Sequence, residues 1–100
     1  MNYEQAKMTT GTVLIEFYAS WCPHCQRMMP IVAQVKESLA GQAPVYQYDI
    51  DKHQAEAEEA GVENIPTFII YRNGKEQWRH SGEMDGDLLL SKVEASLNGE

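Results

Sequence analysis

Cysteine is scarce in this sequence, and so is positive charge. Two cysteines in 100 residues cannot make a disulfide framework, nor by themselves fill a four-coordinate zinc site. Eight Lys and Arg stand against fifteen Asp and Glu, for a formal net charge of −7. That balance argues against the clustered cationic surface a nucleic-acid partner requires. Every apolar run falls well short of the ~20 residues of a membrane helix, so no membrane partner is expected either. The opening MNYEQAKMTT has no apolar core of a secretion signal. Together these absences suggest a cytoplasmic protein, a setting in which paired cysteines tend to be catalytic or metal-bound rather than structural. Repeats, low-complexity tracts and linker-like stretches are also missing, so a single domain over residues 1–100 is expected. The 43% of hydrophobic residues can build its core without staples.

What is present is an alternation of element types. Residues 2–8 can form a helical turn, although without a strong apolar face. The run TVLIEFYAS from Thr12 is β-rich, with Val13, Ile15 and Phe17 on one side and Leu14, Glu16 and Tyr18 on the other. Apolar residues on both faces mark a central strand, and Glu16 is the exception within it. In the segment that follows, Met28, Val32, Val35 and Leu39 keep helical spacing, Pro30 should kink the helix, and Gly41 should stop it. A strand at 45–51 is expected next. Asp51 is then expected to cap a helix through KHQAEAEEA that ends at Gly61. Strands at 66–72 and 75–81 flank Asn73-Gly74, a strong hairpin signal because both positions accept positive φ. Asp85 should cap a last helix with an apolar stripe of Leu88, Leu89, Val93 and Leu97. The expected fold class is α/β, a mixed sheet of about four strands in the order β-α-β-α-β-β-α, with helices on both faces. Its first two strands should be parallel.

Cys22 and Cys25 form a C-x-x-C between the first strand and the following helix. The first turn of a helix offers unpaired N–H groups and the positive end of its dipole, which stabilise a thiolate at Cys22. Cys25 is near enough to attack a mixed disulfide formed at Cys22, so the pair can cycle between dithiol and disulfide. The competing reading is half of a metal site. It would need two further ligands from His24, His53, His80 or carboxylates, and none of these shows ligand spacing.

The segment VLIEFYASWCPHC, followed by NIPTFIIYRNGK and then Ser81-Gly82, closely resembles the thioredoxin family from about residue 11 onward. The resemblance implies that Cys22 attacks and Cys25 resolves. It puts Trp21 beside the site and Glu16 where a buried acid relays a proton for the resolving cysteine. Pro66 matches the family's cis-proline, with the Ile65 backbone pairing to an extended substrate. Ser81, Gly82 and Glu83 match the loop that completes the substrate groove, and Pro30 the helix-kinking proline. The implied function is thiol–disulfide exchange on protein or small disulfides by a monomer, with no bound cofactor or metal and with electrons from a thioredoxin reductase or a thiol pool. A groove-binding module without turnover, or a metal or iron–sulfur site at the C-x-x-C, are the alternatives.

The sequence departs from the family pattern at several points. Pro23-His24 replaces the usual Gly-Pro and is similar to strongly oxidising disulfide oxidases. A positive charge on His24 near the Cys22 thiolate should make the couple more oxidising. Gln47 stands where a lysine often lies near the buried acid, which should leave Glu16 easier to protonate. Glu83 replaces a small residue and should disfavour acidic partners. The family's first strand is expected to be missing, which would expose the edge of the strand near Val45–Ile50.

Overall fold

In the computed structural model, which describes residues 1–99, β1 (Thr12–Tyr18) forms the middle of the molecule. Six of its seven residues are buried, as the apolar residues on both sides of TVLIEFY require. Its odd-numbered side chains Val13, Ile15 and Phe17 join one core cluster, and Leu14 joins another on the opposite face. Full burial of each such side chain contributes roughly 1.5–3 kcal/mol.

The sheet order is β2-β1-β3-β4, with β2 (Val45–Asp49), β3 (Thr67–Arg72) and β4 (Lys75–Ser81). β1 pairs in parallel with β2 and antiparallel with β3. The expected four-stranded mixed sheet is thus observed, and β2 is an outer strand of it. β3 and β4 form the hairpin expected at Asn73-Gly74, whose φ values are +51° and +83°. A register shift follows Ile70, so that Ile70 faces Trp78 and Tyr71 faces Glu76.

Helices α2 (Pro23–Ser38) and α4 (Gly86–Leu97) cover one face of the sheet. All four residues of the expected α2 stripe are buried: Met28, Val32, Val35 and Leu39. The helix continues through Pro30 without ending there. Asp85 caps α4 by accepting the Leu88 N–H at 3.2 Å, as expected. The α4 stripe is different from the expected one. Leu88 is exposed, and Leu89 and Val93 are buried, with Leu90 and Leu97 partly so. Ser96 is also buried, its hydroxyl 3.1 Å from that of Thr12.

The other face carries α1 (Tyr3–Lys7) and α3 (Gln54–Glu59). α1 proves more apolar in use than its composition suggests. Asn2 and Gln5 form a reciprocal cap, and Tyr3 and Ala6 are fully buried. The Tyr3 ring lies 5.4 Å from that of Phe17. One aromatic and one alanine suffice because Tyr3 packs onto Phe17, Tyr48 and Tyr71 on this face of the sheet.

The expected cap at Asp51 is not formed. α3 begins two residues later than expected, after His53, which makes no side-chain cap bond. The Asp49 carboxylate accepts the Asp51 N–H at 2.9 Å and turns the chain there. That turn leaves the Asp51 side chain free for another partner.

Candidate active site

The end of β1 delivers Ala19, Cys22 and Cys25 into a small buried cluster, bordered by Tyr18, Ile50 and Ile65. Cys22 is the N-cap of α2, in extended backbone, and Pro23 starts the helix. Proline suits that position, where no backbone donor is needed. The Cys25 N–H donates to Cys22 Sγ at 3.4 Å. A sulfur held in this way sits where a helix best supports negative charge. Both cysteines are free thiols and buried.

Cys22 Sγ also lies 4.0 Å from the Ile65 carbonyl oxygen. The Ile65–Pro66 peptide bond is cis. The Gly82 N–H donates to the Pro66 carbonyl at 2.7 Å, and the Ser81 hydroxyl lies 2.8 Å from that of Thr67. Ile65, Pro66, Ser81 and Gly82 are therefore brought together across β3 and β4, opposite Cys22. Gly82 has φ +100°, a backbone conformation that a side chain would strain.

Glu16 is 3% exposed. Burial raises its carboxyl to about 7, and the hydrogen bond from Gln47 partly opposes this. Gln47 Nε2 donates to Glu16 Oε1 at 2.9 Å, across the parallel register of β1 and β2. The amide fills the position where a cation was missed, and the acid is shifted upward as expected. Burial likewise pushes the Cys25 thiol up to about 12. A backbone hydrogen bond from Ala19 opposes this, while Cys22 and the charge on Glu16 add to it.

Trp21 is not core packing: it is 62% exposed. Its indole N–H donates to Asp51 Oδ2 at 2.9 Å, which is the partner found by the carboxylate that does not cap α3. Beside it lies a cleft of about 310 Å³ lined in part by Trp21, Ile50, Ala57, Val62 and Ile65.

His24 is engaged from outside. Its Nδ1 lies 2.6 Å from Glu83 Oε2. Arg27 donates to the same carboxylate, from Nε at 3.0 and 3.1 Å and from Nη2 at 2.7 Å. Arg27 and then His24 hold the Glu83 carboxyl down at about 2. Arg27 was not singled out in the sequence, though its place three residues after His24 on one helix puts the two on one face. The remaining histidines are partly buried rather than free surface groups. His53 Nδ1 lies 2.6 Å from Glu56, and His80 stacks on Trp78. Among the described residues, no three His, Cys, Asp or Glu side chains are grouped to hold a metal ion, and no helix is long and apolar enough to cross a membrane.

The thioredoxin family model matches residues 1–95. The chain belongs to the thioredoxin family. Among curated thioredoxins, it is 39% identical over 90 residues to thioredoxin from Chlamydia caviae, covering 86% of this chain and 83% of that one. It is also 39% identical over 85 residues to chloroplastic thioredoxin Y of Oryza sativa subsp. japonica. That match takes in 85% of this chain but 51% of the rice protein, so the chain spans about half the length of that relative. Among solved structures, a mutant thioredoxin from Halobacterium salinarum NRC-1 superposes with a TM-score of 0.81 at 33% identity, covering 94% of this chain and 81% of that one. The architecture is the thioredoxin fold.

Proposed function

We propose that this thioredoxin-family chain is a thiol–disulfide oxidoreductase. The observation that carries the reading is Cys22 Sγ at the N-cap of α2, accepting the Cys25 N–H and facing the Ile65–Pro66 segment. The Cys22 thiolate attacks a substrate disulfide, forms a mixed disulfide and expels one substrate thiolate. Cys25 gives its proton to Glu16 and attacks Cys22 Sγ, which releases the second substrate thiolate. The substrate gains two electrons, and the Cys22–Cys25 pair loses them as it closes to a disulfide.

The same proposal includes the groove. An extended substrate segment lies along the Ile65 backbone, beside Pro66, Ser81 and Gly82, with Trp21 forming one wall. Pro23 and His24 tune the potential. Protein disulfides are the proposed substrates, and a thioredoxin reductase or a thiol pool is the electron source. The two thiols carry both electrons, so no further cofactor is invoked. A monomer in the cytoplasm completes the reading.

Turnover of insulin disulfides with dithiothreitol as reductant tests it. Activity should be lost in Cys22→Ser and reduced to background in Cys25→Ser, and Cys25→Ser should accumulate mixed disulfides visible by mass spectrometry. Undiminished turnover in Cys22→Ser would overturn the assignment.

A further inference from the structure

The Glu83 carboxylate is the unexpected element of the site. It comes from the loop after β4, 59 residues from His24 in sequence, yet it meets the first turns of α2. There it binds two potential cations at once, Arg27 through a two-nitrogen fork and His24 through Nδ1. His24 lies between the two cysteines, and Arg27 follows Cys25 by two residues on the same helix. Arg27 Nη2 also lies 2.9 Å from His24 Nδ1, so a guanidinium, an imidazole and a carboxylate meet at the first turns of the helix that Cys22 caps.

We infer that Glu83 is a redox-tuning residue: it cancels positive charge beside Cys22 and so holds the Cys22–Cys25 couple more reducing than its Pro23-His24 pair would otherwise make it. This rests on the oxidoreductase reading. The sign follows from charge counting. Removing the carboxylate deletes one full negative charge. Arg27 keeps its positive charge, so the net charge near Cys22 rises and the Cys22 thiolate gains stability. A more stable thiolate means a more stable reduced form and a stronger oxidant. Glu83 touches neither substrate nor sulfur in this role. It acts through the field of the cations it binds.

The test is equilibration of the folded protein with reduced and oxidised glutathione, with the dithiol and disulfide forms separated after acid quenching. Glu83→Gln should shift the equilibrium toward the reduced dithiol by about threefold, or about 14 mV for a two-electron couple. Arg27→Gln should shift it the opposite way, because it leaves the carboxylate less compensated. Glu83→Asp should stay near the parent. Both shifts should shrink in 1 M salt, where the Debye length falls to about 3 Å. Opposite signs are decisive, since a contact that only braces the loop would give the same sign whichever partner was removed. Equal signs, or an unmoved Glu83→Gln, would overturn the inference while leaving the oxidoreductase reading intact. A parent protein that exchanges no disulfide with glutathione would overturn both.

Discussion

Two carboxyl groups flank the cysteine pair, one beneath it and one above. Glu16 lies below, almost wholly buried and bonded by the neutral amide of Gln47. Glu83 lies on the outer rim, half-exposed and clasped by Arg27 and His24. Their proton affinities are displaced in opposite directions, to about 7 and about 2. Desolvation wins inside because no cation compensates the buried charge. Ion pairing wins outside because water already solvates the carboxylate and two donors add to it. The comparison separates two tasks. The inner acid can gain and lose a proton near neutrality, as a proton carrier must. The outer one stays charged and contributes a steady field.

Removing the inner acid should have the largest effect. Glu16→Gln is expected to slow release of mixed disulfides by roughly a hundredfold, the lower end for general acid–base groups, and to slow the first attack far less. Stopped-flow rates of the two steps check this, and equal slowing would dissolve the distinction between the two carboxyls.

Stability should show the same contrast with pH. Glu16 has a folded-state value raised above its ordinary 4.5 to about 7. Between these values the folded chain holds a proton that the unfolded chain has released. Stability should therefore fall as pH rises through that window, by about 3 kcal/mol in total. Glu16→Gln should flatten this part of the profile in urea unfolding at pH 5 and pH 8. A parent whose stability is level across that range would contradict the placement of Glu16.

A smaller change, Gln47→Lys, sharpens the comparison by giving the inner acid the kind of partner the outer one has. It should lower the proton affinity of Glu16, and the stability loss should then be smaller and end at lower pH. Following the Glu16 carboxyl by NMR titration would measure the change directly.

The least effect on stability is expected from Glu83→Gln. The depressed value of Glu83 gives a contribution that is present above the ordinary carboxyl range and lost as pH falls toward about 2. Exposed pairs of this kind are worth little. The variant should unfold slightly before the parent at pH 7, and the gap should close in acid.

Much of this was legible in the chain itself. The β1 pattern, the α2 stripe, the Asn73-Gly74 turn and the C-x-x-C at a helix start are short-range signals, each set by neighbours a few residues apart. Glu16 was legible for the same reason, as a carboxylate interrupting an apolar strand. Errors arose where a residue had a distant competitor. Asp51 is a good helix cap by type, but Asp49 makes the turn and Trp21 takes the Asp51 carboxylate. Leu88 fits the α4 stripe by spacing, yet the helix is rotated so that Leu89 and Val93 face the sheet.

The sequence by itself determined which segments become strands and helices, where the thiols sit on their helix, and that one acid lies inside. Local backbone preference and the period of apolar residues suffice for those. Only the tertiary structure decided what each charged group meets. Trp21 with Asp51, Glu16 with Gln47, and Glu83 with His24 and Arg27 are joined across 30, 31, and 56 to 59 residues. Such pairs are set by how strands and loops close around β1, and no local pattern encodes that closure.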